Sequence, residues 1–141
     1  MAGFVDRLKK YAAVIVDKSL SPGETLSRAD LLVSDISGIR LEFAFLYQRP
    51  VITLKAEGED DSLFEAADMD SSWEIEAEGR IGAVVGPEEI DAMPEIVKKA
   101  LGISTEKMAA YSDEYVAHIG HSGEVVADWL IAKKNAVKVD S

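Results

Sequence analysis

The residues best suited to chemistry lie in one short stretch, where Asp35, Ser37 and Gly38 follow an apolar run and precede a predicted helix. In open α/β sheets, ligands bind beyond the carboxyl ends of the strands. A helix that begins there presents free backbone N–H groups and a positive dipole end, which suit a phosphate or diphosphate. The Ser37 hydroxyl adds a donor, and Gly38 lets a ligand approach the backbone. The stretch therefore predicts an anion-binding turn.

A purely structural interpretation of the same turn stays open. Serine commonly caps a helix through its hydroxyl, and glycine commonly occupies a turn. On this interpretation Ser37 is an N-cap, Gly38 is a turn residue, and no ligand binds. Strand-to-helix turns of this composition are common, so spacing alone favours the structural interpretation.

The chain has two histidines, His118 and His121, as candidates for acid–base chemistry. His121 directly precedes Ser122 and Gly123. It could face the crevice at the carboxyl ends of the strands and act as a base on the hydroxyl of an acceptor within reach. The simpler interpretation is that both histidines interact with a helix dipole. The His-x-x-His pair has no third ligand at a suitable spacing, so we predict no metal site and no cofactor. The catalytic residues stay unassigned.

Short apolar runs that could form buried strands alternate with segments of helical pattern. Strands are predicted at Ala12–Val16, Leu31–Ser34, Val51–Leu54 and Ile81–Val85. Helices are predicted over residues 4–11, 21–28, 39–47, 87–101, 104–118 and 123–134. Such apolar strands between helices indicate a mainly parallel sheet covered on both faces. The sequence therefore predicts a single three-layer, Rossmann-like α/β domain with about four strands and a helical C-terminal end.

The net charge of −11 is concentrated in one segment. Ten of the 26 acidic residues lie between Glu57 and Glu78, where there is no Lys or Arg, which leaves 16 acids against 15 bases elsewhere. This pattern predicts a solvated acidic loop over residues 57–78, and its spacing is not that of an EF-hand. Trp73 is expected to anchor the loop, with stacking on a base as the alternative.

The composition excludes several other classes of protein. No cluster of Lys and Arg is present to neutralise phosphates, so a nucleic-acid partner is not expected. No apolar run is long enough to span a bilayer, and the first residues lack a signal-peptide pattern. Cysteine is absent, which excludes disulfides and thiolate chemistry. These observations predict a cytoplasmic location.

Three segments, ADLLVSDISG (29–38), EFA (42–44) and QRPVI (48–52), carry a resemblance to a known family. They resemble the C-terminal nucleotide-binding half of the CDP-glycerol glycerophosphotransferases, which have a two-domain GT-B fold. In that family the pattern aDvliTDySSiifDfallnkPii closes the donor site. The segment GHSGEVV (120–126) is weakly similar to the family's late dGkaseRi segment.

The resemblance implies roles for individual residues. Glu42, one turn into the helix, stands where related GT-B proteins hold a ribose or glycerol hydroxyl. A site of this kind would stabilise a leaving diphosphate during transfer to a hydroxyl. Phosphate contacts are implied for five residues: Asp35, Ser37, Gly38, Ser122 and Gly123.

The chain also departs from the family pattern. Gly38 replaces the second serine of the motif, and Val125 or a neighbour replaces the late arginine. The KPHP motif is absent, as is the N-terminal domain that supplies the acceptor side and a catalytic base. The resemblance thus implies a domain that binds CDP-glycerol or a nucleotide sugar and is completed by an N-terminal domain or a partner subunit.

Three further expectations concern an alternative function, self-association and location. The alternative to a transferase domain is a non-catalytic Rossmann-like domain that binds a ligand or another protein. Apolar surface left uncovered near residues 4–11, or along the strand ends, would favour a homodimer. A role in a cell-envelope polymer pathway would place the chain at the membrane surface without a membrane span.

Overall fold

Three short parallel strands form the central sheet, in the order β1-β2-β3. They are β1 (Leu32–Ser34), β2 (Val51–Leu54) and β3 (Gly82–Val85). In the register, Val33 pairs with Ile52, and Ile52 pairs with Ala83. The structure, a computed structural model, describes residues 7, 10–19, 21–55 and 73–137, without the side chains of residues 136 and 137.

The helices of the described chain alternate with these strands and then continue to the C-terminal end. Met93 begins an α-helix directly after a 3₁₀ helix, Pro87–Ala92, so the single helix predicted over 87–101 forms in two parts. The α-helices are α1 (Gly23–Arg28), α2 (Ile39–Tyr47), α3 (Trp73–Ile81), α4 (Met93–Ala100), α5 (Thr105–Tyr115) and α6 (Ser122–Val137).

One face of the sheet is covered by α2, α3 and α5. Phe43 of α2, Ile81 of α3 and Met108 of α5 are fully buried in a single apolar cluster with Val51 of the central strand. This cluster contains most of the buried apolar side chains of the described fold, so α2 is fixed firmly against the sheet.

The other face is covered by α4. Ile52 and Val85 are buried there against Ala100, and Ile96 packs beside them. Val51 and Ile52 point to opposite faces because successive side chains of a strand alternate. The fold is therefore a Rossmann-like parallel α/β domain with helices on both faces of the sheet and a helical C-terminal end.

Gly82, at the start of β3, permits a close approach of two strands. A Cβ atom at this position would lie 1.7 Å from the Val51 carbonyl oxygen. Position 82 therefore requires glycine, and the β2–β3 pairing depends on it.

The predicted strand at Ala12–Val16 is wrong, so the described sheet has three strands instead of about four. Residues 14–19 have no regular secondary structure, and Ile15 is 92% exposed. A strand needs a neighbour for its backbone hydrogen bonds, and no strand of the described chain pairs with this run. The helix predicted over 4–11 falls mostly outside the described residues.

The acidic loop predicted over residues 57–78 is wrong at its C-terminal end, because Trp73–Ile81 is a helix. Ala77 and Ile81, one turn apart, are buried against the core, and Glu78 is buried between them. Burial of this face stabilises the helix in spite of its acidic composition. Residues 57–72 lie outside the described part of the chain.

The two C-terminal helices follow the predicted positions. Ser104 caps α5, because its hydroxyl accepts a hydrogen bond from the Lys107 N–H at 3.3 Å. The helix predicted over 123–134 is α6, which begins one residue earlier and extends to Val137. No helix within the described ranges combines the length and apolar character that crossing a membrane requires.

Candidate functional site

The turn 35–38 connects the carboxyl end of β1 to the start of α2, as the sequence predicts. Gly38 is the N-cap residue, and no side chain caps the helix. The interpretation of Ser37 as N-cap is therefore wrong. The N–H groups of Gly38 and Ile39 have no hydrogen-bond partner among the described residues. The turn thus presents two unpaired backbone donors at a helix N-terminus.

The conformation of Gly38 does not itself require glycine. Its φ of −54° and ψ of −26° are ordinary right-handed helical values. A Cβ atom at this position would meet nothing within 4 Å, and the residue is exposed. The surface beside the Gly38 Cα is therefore open.

The other predicted residues of this region lie around the same turn. Asp35 and Glu42 are exposed, whereas Ser37 is half-buried. The Ser37 carbonyl accepts hydrogen bonds from the backbone N–H of Arg40 at 3.1 Å and from Arg40 Nε at 3.0 Å. The carbonyl side of the turn is thus held by the protein, while the N–H groups of Gly38 and Ile39 have no partner among the described residues.

Arg40 and Glu78 form a buried ion pair directly behind the turn. The two side chains are each 4% exposed. Arg40 Nη1 donates to the Glu78 carboxylate and to Thr53 Oγ1 of β2, the latter at 3.3 Å. The guanidinium group therefore joins the turn, the central strand and α3 through hydrogen bonds.

This pair positions the turn but contributes little positive charge to it. Charges that are buried together offset each other, so Glu78 neutralises the field of Arg40. Attraction of an anion at the turn would come from the unpaired N–H groups and the end of the α2 dipole. Neither residue is predicted from the sequence; the single Arg in a mostly apolar helix is the signal that could have indicated one of them.

The second predicted group, His121, Ser122 and Gly123, lies where α6 begins. Ser122 Oγ donates to the carbonyls of Ala117 and His118, at 3.0 and 2.7 Å. His121 Nδ1 lies 3.2 Å from the Ile119 carbonyl oxygen. All three predicted residues are exposed, and their hydrogen bonds stay within the local turn.

The described contacts do not join the two predicted groups. No hydrogen bond or ion pair in the described chain connects the turn 35–38 with residues 121–123. Their joint contact with one diphosphate therefore stays a prediction. The His118 and His121 rings lie 5.6 Å apart, and no three potential metal ligands come together among the described side chains.

Trp73 anchors the start of α3 against α5. Its ring stacks on Tyr115 with a centroid distance of 5.7 Å, and Tyr115 stacks on Phe45 at 5.9 Å. The chain of rings connects α3, α5 and α2, and the predicted anchoring of the preceding loop falls outside the described residues.

Arg80 joins α3 to α5 on the surface. Its guanidinium group donates to both carboxylate oxygens of Glu114, at 2.7 and 2.6 Å, and lies 4.3 Å from the centre of the Tyr111 ring. These hydrogen bonds lower the pKa of Glu114 below its usual value and raise the pKa of Arg80. The link holds α3 in place, and with it the buried Glu78.

Comparisons of the chain with protein-family models, with curated proteins and with solved structures found no match. The resemblance to the glycerophosphotransferases therefore rests on the short segments quoted above.

Proposed function

We propose that this chain is a nucleotide-diphosphate-binding domain that holds the phosphates of its donor at the turn 35–38. The observation that supports the proposal is the pair of N–H groups at Gly38 and Ile39 that have no partner among the described residues, at the turn that follows β1. A phosphate at a helix N-terminus gains both hydrogen bonds and a favourable dipole.

The buried ion pair behind the turn favours binding in a fixed geometry. Arg40 holds the Ser37 carbonyl, so the two donors need little reorganisation when a ligand arrives. Groups that are preorganised in this way lose less free energy on binding. Glu42, exposed beside the turn, is suitably placed to accept a hydrogen bond from a ligand hydroxyl group, and Asp35, also exposed, lies at the turn where the phosphates would bind.

The proposed donor, as the family resemblance implies, is CDP-glycerol or a nucleotide sugar. The reaction in a complete enzyme would be transfer to a hydroxyl, with the turn stabilising the leaving diphosphate. Catalysis would need an acceptor side and a base from an N-terminal domain or partner subunit. We place this activity in the cytoplasm, which a chain without cysteine suits.

A second candidate function is that of a non-catalytic interaction domain. The observation that favours it is the apolar surface of α6, where Val126, Trp129 and Leu130 are each more than half exposed. Exposed apolar surface of this kind promotes association, including the predicted homodimer.

Isothermal titration with CDP-glycerol, CDP and UDP-sugars tests the diphosphate proposal. We expect the wild-type chain to bind CDP and a Gly38→Ala variant to bind it about tenfold more weakly, because the added methyl group would crowd a phosphate held by the adjacent N–H groups. The free energy of unfolding should change by no more than about 1 kcal/mol, since the methyl group meets no protein atom.

Gly79→Ala is the matched control. It adds the same methyl group to an exposed position of α3 where nothing lies within 4 Å, and it should leave CDP binding unchanged. Equal affinity of the Gly38→Ala variant and the wild-type chain would place the site elsewhere. The lack of any binding at millimolar nucleotide would reject the proposal and leave the interaction domain.

A further inference from the structure

We infer that the outer edge of β3 is a binding site for an extended acidic peptide, which pairs with β3 as an additional strand. In the described sheet β3 is the last strand, and its partner is β2. A strand edge of this kind offers unpaired backbone donors and acceptors to another chain.

Gly82 and Val84 carry the backbone groups that face outward. The Lys55 N–H donates to the Val85 carbonyl at 3.0 Å, so the peptide groups of Val85 face β2. Because these groups alternate along a parallel strand, those of Gly82 and Val84 point to the opposite side. Within the described part of the chain no backbone segment pairs with that side of β3.

A cavity of about 840 Å³ follows this edge and touches Gly82, Ala83 and Val84. Lys99 of α4 lines one wall, and Lys107 of α5 lines the other. Its volume is in the range of protein clefts that bind ligands. The groove thus combines a strand edge with side walls from both helical layers.

The charge of the groove indicates an acidic occupant. Arg80, Lys99 and Lys107 line it, against a single acid, Glu89, in a chain whose net charge is −11. Arg80 is already paired with Glu114, and Glu89 accepts a hydrogen bond from the Gly86 N–H at 3.2 Å. The two lysines therefore dominate the field that an incoming peptide meets.

The same charges disfavour a second copy of the chain at this edge. Symmetric pairing of two β3 strands would bring the lysines of both copies together, because a two-fold interface uses the same patch twice. An acidic peptide instead gains main-chain hydrogen bonds and opposite charge at once.

The geometry also specifies the pattern of the peptide. Successive side chains of a strand point to opposite faces of the sheet. Lys99 belongs to the helix on one face and Lys107 to a helix on the other. Two consecutive acidic residues would therefore reach one lysine each.

Fluorescence anisotropy tests the inference with a short labelled peptide of alternating threonine and valine that has Glu-Glu at its centre. A peptide with Lys-Lys at its centre is the control ligand. We expect saturable binding of the acidic peptide and at least about tenfold weaker binding of the basic one.

Two variants of the full chain separate the contribution of backbone pairing from that of charge. Val84→Pro removes an outward N–H, which an edge strand tolerates, and should weaken acidic-peptide binding about tenfold or more. The double variant Lys99→Glu/Lys107→Glu should weaken it similarly through its charge. Lys133→Glu/Lys134→Glu on α6 changes the net charge equally at positions outside the groove and should leave binding unchanged.

Equal binding of the two peptides would overturn the inference, as would wild-type affinity in both groove variants. A dimer that Val84→Pro dissociates, seen by analytical ultracentrifugation, would assign the edge to a second copy and equally overturn it. CDP binding is independent of all these outcomes, so failure here leaves the proposed nucleotide site to its own test.

Discussion

The turn 35–38 and the start of α6 carry the two halves of the predicted donor site, and the protein holds them in different ways. The first half is attached to the core through Arg40, whose side chain reaches β2 and α3. The second half is held by hydrogen bonds of Ser122 and His121 to the turn that precedes them. One half is fixed by tertiary structure and the other by local structure.

A residue that matches the family pattern is therefore not always one that contacts with the core hold in place. Ser122 matches a family position, but both of its described hydrogen bonds use carbonyls five residues away or fewer. Arg40 and Glu78 match no motif, yet they set the geometry of the turn 35–38, the first half of the predicted donor site. Substitutions in the two regions should therefore have very different effects.

Glu78→Ala should have the largest effect. It leaves Arg40 buried without a counter-charge, which costs about 3–5 kcal/mol. Urea unfolding followed by circular dichroism measures the loss. A double variant, Arg40→Met/Glu78→Leu, replaces the pair with apolar side chains and should recover most of the stability. A loss below about 1 kcal/mol in Glu78→Ala would show that the pair does not fix the turn.

The surface pair Arg80–Glu114 should have a smaller effect that depends on pH. The folded state lowers the pKa of Glu114, so the pair stabilises the fold at pH values above the usual Glu pKa of about 4.3. This stabilisation is lost as the pH falls through the lowered pKa. The stability difference between the wild-type chain and Glu114→Gln should therefore shrink on acidification from about pH 6 to pH 3. A stability difference that stays constant over this pH range would contradict the conclusion that Arg80 lowers the pKa of Glu114 in the folded state.

Substitutions on α6 should have the smallest effect. Trp129 is 58% exposed, and Trp129→Ala should change the free energy of unfolding by about 0.5 kcal/mol or less. Ser122→Ala, which removes exposed local hydrogen bonds, should cost at most about 1 kcal/mol. A loss of several kcal/mol for Trp129→Ala that depends on protein concentration would instead show that α6 is covered in a dimer.

Much of the fold could be predicted from local patterns. Val51–Leu54 and Ile39–Tyr47 form as predicted, because a short apolar β-branched run and a helix stopped by Arg49-Pro50 are strong local signals. Ala12–Val16 has the same composition as a buried strand, but it has no neighbouring strand among the described residues. A single sequence does not show which apolar run pairs with another strand of the sheet.

Only the exposed part of the candidate site could be predicted from the sequence. The turn at Asp35 to Gly38 follows from the order of strand, turn and helix. Its buried support depends on Arg40 and Glu78, which are 38 residues apart, and Glu78 belongs to an acidic segment whose composition predicts exposure. Burial of a charge is decided by its partner in space, which composition and spacing do not reveal.

The most direct test of the nucleotide-binding proposal is an NMR titration of the ¹⁵N-labelled wild-type chain with CDP. We predict that the amide resonances of Ser37, Gly38 and Ile39 shift together and saturably, because the N–H groups of Gly38 and Ile39 would meet the diphosphate and Ser37 directly precedes them. Unchanged resonances for these three residues at millimolar CDP would contradict the account, whatever happens elsewhere in the spectrum.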